Sequence, residues 1–125
     1  MNEECGRRDL LGSGIAPWLL WVLPIATIAL TGQFADREWI LTVSWTLALL
    51  VMSVGCFANA RRCARTHCYF TAPFFLLMAV ASLLHGLGIV PLGPQGWSYI
   101  GIVLLIGGML LCLLTEWVWG RYRAR

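Results

Sequence analysis

The chain has 125 residues, 59% of them hydrophobic and only 12% charged, with a net charge of +3 and a mean hydropathy of +0.76. Such a composition is too apolar for a water-soluble domain of this size, and its scattered cations exclude a nucleic-acid binder, which needs a clustered basic face. It predicts a single all-α integral membrane domain, a four-helix bundle, because a hydrocarbon core of roughly 30 Å takes about 20 mostly apolar residues per helical span.

The first predicted span covers 15–32 and carries Pro24 in its interior. Proline removes a backbone donor, so a kink is expected, tolerated where neighbouring helices re-satisfy the freed carbonyl. Ahead of it, Glu3, Glu4 and Asp9 mix with Arg7 and Arg8, and no small-x-small cleavage site follows. The apolar run therefore reads as a span and not as a cleaved signal.

The second span covers 39–58 and the third 72–90, where Thr71 is placed as the helix cap and Pro73 in the first turn. The fourth covers 98–119. Gly101, Gly108, Cys112 and Thr115 form a small-residue stripe on span four, and Ala72, Ala79, Ser82 and Gly86 another on span three. Small residues let membrane helices approach closely, so these stripes are expected to meet each other or a second subunit.

All nine basic residues are arginines. Arg7 and Arg8 precede span one, Arg61, Arg62 and Arg65 lie between spans two and three, and Arg121, Arg123 and Arg125 follow span four. Only Arg37 falls on the other side. The positive-inside rule then predicts both termini in the cytoplasm. Trp18, Trp117 and Trp119 on one side and Trp39 and Trp97 on the other fit interfacial belts, with Trp21 and Trp45 deeper. Arg61, Arg62 and Arg65 are candidates for contact with anionic lipid headgroups or with a partner in a homo-oligomer or larger complex.

The segment Asn59 to Pro73, NARRCARTHCYFTAP, raises the chemical question. Five cysteines, Cys5, Cys56, Cys63, Cys68 and Cys112, avoid the predicted outer turns, which argues against structural disulfides and for metal or redox work in a reducing compartment. Counting depth at about 1.5 Å per residue gathers Cys56, Cys63, Cys68 and Cys112 near the inner leaflet. If helix two runs on, Cys56, Asn59, Ala60, Cys63 and His67 share one face; a turn at Thr66 would instead bring His67 and Cys68 back over Cys63.

Thiolates with an imidazole suit mercury(II), copper(I) or zinc, and nearby arginines favour the thiolate. The C-x4-C spacing is not the C-x2-C of a zinc ribbon; the alternatives are a packing role for Cys56 and Cys112 and a plain topology loop for Cys63, His67 and Cys68. His85, the one ionisable residue well inside a predicted span, is a further candidate ligand, with a bond to Ser82 or backbone as its structural explanation. Glu116, at the end of span four, is expected to pair with an arginine. No hydrolase elbow, zinc-protease motif or phosphate loop occurs, so a non-enzyme is predicted.

The run NARRCARTHCYFTAP followed by FFLLMA resembles a group of small bacterial inner-membrane proteins, which implies a fold and an inner-membrane location but brings no settled activity. A looser likeness, confined to Cys63, His67 and Cys68, is to the mercuric-ion transport proteins, which hand soft metal between cysteine pairs. Two functions follow as expectations: binding or passage of a thiophilic ion through Cys56, Cys63, His67, Cys68, Cys112 and His85, or a non-catalytic accessory role in a membrane complex.

Overall fold

A π-helical turn, Trp18–Val22, runs directly into α1 (Leu23–Phe34), and three longer helices follow: α2 (Glu38–Cys63), α3 (Thr66–Gly86) and α4 (Gly96–Trp119). The computed structural model describes Cys5, Arg7, Asp9, Leu10, Gly12 and residues 14–120. Glu3, Glu4, Arg8, Arg121, Arg123 and Arg125, used in the sequence reading above, lie outside the described residues. The chain is an all-α bundle, with no strand among the described residues. Helices α2, α3 and α4 are long and apolar enough to cross a membrane, and the first helix, Trp18–Phe34, is apolar but shorter.

The disturbance expected at Pro24 takes a definite form. The Leu23 N–H reaches back to the Trp18 carbonyl, a π-type bond one residue ahead of the proline. A wide turn of this kind relieves the ring's clash with the preceding turn without breaking the helix.

Successive helices run antiparallel, as their contacts record: partner numbers fall along one helix as they rise along the other. Asn59 meets Cys68, Cys56 meets Thr71, and Ser53 donates to the Ala72 carbonyl at 2.8 Å. At the far end of the same interface, a Cβ on Gly86 would collide with Thr42. Between α3 and α4 the same order appears in Phe74 beside Gly107 and His85 beside Gly96.

The core lies mainly between α2 and α3, where Leu49, Met52, Cys56 and Ala60 interlock with Cys68, Ala72, Phe75 and Ala79. Trp45 wedges α1 and α4 onto this pair. Its Nε1–H donates to Thr31 Oγ1 at 3.1 Å, and its ring meets Trp97 edge-on at 5.4 Å. Helix α1 packs on α2 and α4 packs on α3, while an apolar cavity of about 520 Å³ runs between Trp21 and Ile25 on one side and Leu104 and Met109 on the other.

Two features of the bundle differ from the sequence reading. Helix α2 continues to Cys63, and α3 starts at Thr66, so the expected charged loop shrinks to a two-residue turn, Ala64–Arg65. Ala64 makes this possible by adopting a left-handed conformation at φ 51°. Arg65, not Thr71, occupies the cap position, and Pro73 lies inside α3. Thr71 is fully buried, its hydroxyl donating back to the His67 carbonyl at 2.9 Å. The hydropathy fall at 59–71 is a poor guide because Asn59, Arg65, His67 and Thr71 turn inward onto partners, while Arg61 and Arg62 stay exposed.

The second difference concerns the small-residue stripes. That of α3 faces α2, as Ser53 at Ala72 and Thr42 at Gly86 show. On the α4 stripe, an added Cβ at Gly101 would meet the Trp45 ring of α2 at 3.3 Å, and one at Gly108 the Phe74 and Phe75 rings of α3 at 3.9 Å. Ala72 and Gly86 of one stripe and Gly101 and Gly108 of the other thus meet other residues of neighbouring helices and not each other.

Candidate functional site

One end of the bundle holds a buried polar cluster built from four separate parts of the chain. The two-residue turn places Arg65 between Asp9 of the N-terminal segment and Glu116 of the last turn of α4. Arg65 Nη1 pairs with Asp9 Oδ2, and Arg65 Nε donates to Glu116 Oε1 at 3.1 Å. The same Glu116 oxygen accepts from His67 Nδ1 at 2.5 Å. Asp9 is only 3% exposed and the Arg65 side chain 11%. Burial alone would disfavour the charged guanidinium, yet the Asp9 and Glu116 carboxylates outweigh it and hold the Arg65 pKa above its ordinary value.

Asn59, fully buried on α2, joins this cluster to the thiols. Its Nδ2 donates to Asp9 Oδ1 at 2.8 Å and reaches Cys68 Sγ at 3.8 Å, while its Oδ1 accepts the Leu10 N–H at 3.1 Å. An asparagine can satisfy acceptor and donor demands at once, which is what a buried carboxylate beside a chain segment requires. The N-terminal segment is thereby tied to the α2–α3 turn.

Beneath the cluster, Cys56 and Cys68 meet across the α2–α3 interface. Asn59 and Cys56 stand one turn apart on α2, Cys68 and Thr71 one turn apart on α3, and the four interlock as a box. The Thr71 hydroxyl donates to Cys56 Sγ at 3.4 Å and Asn59 Nδ2 reaches Cys68 Sγ at 3.8 Å, which brings both thiols into the box. Both are free, and neither is more than 1% exposed. Cys56 lines the cavity between α1 and α4, whereas Cys68 lines a second groove of about 510 Å³ with Phe57, Arg61 and Tyr69.

The remaining candidates disperse. Cys63 faces the N-terminal segment: its thiol donates to the Cys5 carbonyl at 3.2 Å, and the Cys5 thiol reaches the Cys63 carbonyl at 3.9 Å. His67 is turned to Glu116 because the chain reverses before it, so it does not continue the Cys56–Cys63 face. Cys112 is half-buried and lines the same cavity as Cys56 and His67.

His85 lies in the last turn of α3, whose end at Gly86 falls short of the expected Val90. Its Nδ1–H donates to the Val90 carbonyl at 3.2 Å, and its ring meets Trp97 edge-on at 5.1 Å. About 27 Å of helix separates it from His67, so it braces the α3–α4 connection and shares no site with the thiols. Among the described residues, no three His, Cys, Asp or Glu side chains converge as metal ligands.

Of the three arginines expected at lipid or partner, Arg65 is drawn inside instead by its two carboxylates. Arg61 and Arg62 are exposed, with the Arg61 guanidinium 4.9 Å above the Phe57 ring. The expected pairing of Glu116 with an arginine is present. Cys5, Asp9 and Asn59 were not singled out as site residues from sequence. For Asn59 a signal existed, since it shares the Cys56–Cys63 face; Asp9 gave none, because its partners lie about fifty residues away in sequence. No family model, curated protein or solved structure matches this chain.

Proposed function

We propose that this is a small bacterial inner-membrane protein that binds a thiophilic metal ion at a two-thiolate site formed by Cys56 and Cys68. The observation that carries the reading is the box in which these thiols are brought together from different helices and held by Asn59 and Thr71. Two facing thiolates suit the linear two-coordinate chemistry of mercury(II) or copper(I). Zinc, which takes four ligands in structural sites and three plus water in catalytic ones, is poorly served. Of the six ligands expected from sequence, Cys56, Cys63, His67, Cys68, Cys112 and His85, this site uses Cys56 and Cys68.

The polar end is assigned to the cytoplasm by the arginine distribution, which also keeps the thiols on the reducing side. There Arg61 and Arg62 reach anionic headgroups, each contributing about 1 kcal/mol to surface attraction. The role is one of binding and passage, without catalysis.

The test is metal retention by purified, reduced protein in detergent, challenged with mercury(II), copper(I) and zinc in the presence of excess monothiol. Wild type is expected to retain mercury(II) and copper(I) over zinc, and a Cys56→Ser, Cys68→Ser double variant to lose an equivalent. No retention, or retention unchanged in the double variant, refutes the reading.

A second reading, a non-catalytic accessory subunit of a larger complex, is favoured by α4. Of its 24 residues only Gly96, Ile100 and Thr115 are buried, leaving an apolar flank for lipid or another subunit. A partner co-purifying at constant stoichiometry, with no metal retained, would support it.

A further inference from the structure

We infer that Cys5 and Cys63 form a second two-thiolate site for the same class of soft ion, at the end of the bundle above the buried pair. This inference rests on the thiophilic-metal reading and extends it to residues that the Cys56–Cys68 box does not use. Each of these side chains reaches the other's backbone carbonyl, Cys63 Sγ to Cys5 O at 3.2 Å and Cys5 Sγ to Cys63 O at 3.9 Å. The two thiols therefore pass each other between the N-terminal segment and the last turn of α2.

The segment that presents Cys5 is braced without help from either sulfur. The Asp9 N–H closes a turn on the Cys5 carbonyl at 2.8 Å. Asp9 is fixed by Arg65 and Asn59, and the Leu10 N–H by Asn59. Thiols are weak donors, so these two S–H contacts add little to that bracing.

Access separates the two pairs. Cys5 is half-buried, so an ion can reach it and pass to the buried Cys63, whereas Cys56 and Cys68 are both buried and meet only the cavity and the groove they line. Cys56 and Cys63 lie seven residues apart on one face of α2, about 10 Å along its axis. One ion cannot bridge that distance, so the pairs fill independently. At each pair the reaction is ligand exchange: the divalent ion arrives held by two monothiol sulfurs, those two bonds break as two bonds to cysteine sulfur form, and the two cysteine protons pass to the released monothiolates. No electrons change hands.

The experiment titrates full-length, reduced protein in detergent with mercury(II) chloride, under a monothiol excess that strips ions held by single thiols. Retained mercury is counted per chain. Two ions retained by wild type, with one lost in Cys5→Ser, Cys63→Ser and a different one lost in Cys56→Ser, Cys68→Ser, is the expected result. Serine preserves the donors to both carbonyls, and an unchanged helical circular dichroism signal checks the fold. Cys5→Ala, which alters only the N-terminal segment, gives the same one-ion loss.

Retention of two ions by Cys5→Ser, Cys63→Ser overturns the inference while leaving the buried site standing. Retention of a single ion by wild type and none by Cys56→Ser, Cys68→Ser does the same. No ion retained by wild type overturns both.

Discussion

Arg65→Leu tests whether the buried polar cluster holds the N-terminal segment against the helices. At 3.1 Å from Glu116 Oε1, and with an effective dielectric constant near 20, the Coulomb attraction is about 5 kcal/mol. Desolvating both charges offsets most of it, which is why replacing a whole buried ion pair is often neutral. Removing only the arginine is different: Asp9, at 3% exposed, loses this cation, and Glu116 loses it while keeping His67. The expected loss is about 3–5 kcal/mol, the range for a stranded buried charge. Arg65→Lys keeps the charge but cannot present two nitrogens in a fixed fork to two carboxylates, so a smaller loss of about 1–2 kcal/mol is expected. Thermal unfolding in detergent and the rate of proteolysis within the N-terminal segment are the measurements. Adding Asp9→Asn to Arg65→Leu should recover part of the loss. An Arg65→Leu protein as stable as wild type, with its N-terminal segment equally protected, would refute the reasoning.

Asn59→Ala strips Asp9 Oδ1 and the Leu10 N–H of their partner, and each unsatisfied group costs about 1–3 kcal/mol; faster maleimide labelling of Cys68 and Cys63 should accompany the loss of stability. Ala64→Gly is expected to stabilise by about 0.5–1 kcal/mol in thermal unfolding, because glycine adopts the left-handed conformation without the penalty an alanine carries. Gly86→Ala, which meets Thr42 across the α2–α3 interface, should destabilise by about 1–3 kcal/mol. Gly107→Ala meets only the end of the Phe74 ring and should lose less, so the ratio of the two losses checks the packing. Metal retention should weaken towards acid pH, since each ion displaces two thiol protons and protonation competes with binding; a titration of retained mercury between neutral and acid buffer reads the slope.

The helices themselves were legible because their signal is local. Long apolar runs separated by Gly, Pro and charge mark the spans, and α4, with little but apolar side chains, begins only two residues from the expected start. The α2–α3 turn was legible only as one alternative, a turn at Thr66 after a helix two that runs on, for a reason visible in Arg65, His67 and Thr71. Polarity along 59–71 falls where a membrane span ordinarily ends, and nothing nearby in sequence announces that Asp9 and Glu116 supply buried partners. Once those partners are present, the helices can continue with polar side chains inside, and the loop is no longer needed. The same non-local pairing decided the candidate ligands. Helical spacing correctly placed Cys56, Asn59, Ala60 and Cys63 on one buried face, but it could not tell which thiol the return helix would bring opposite Cys56.

That return helix is set by a single register. The two-residue turn fixes Cys68 opposite Asn59 and Thr71 opposite Cys56, and at the far end of the interface it fixes Gly86 opposite Thr42. A one-residue slip rotates α3 by about 100°, removing Cys68 from the box, pointing His67 away from Glu116 and driving a larger side chain against Thr42. The glycine contact near one end and the ion cluster at the other therefore enforce the same alignment, and the thiol pair lies between them. Inserting one alanine after Ala64 should disturb all three contacts together: weaker packing at Gly86, a released N-terminal segment and loss of the ion held by Cys56 and Cys68. Loss of metal retention alone, with stability and N-terminal protection unchanged, would mean that the register is not held jointly and that the thiols meet for another reason.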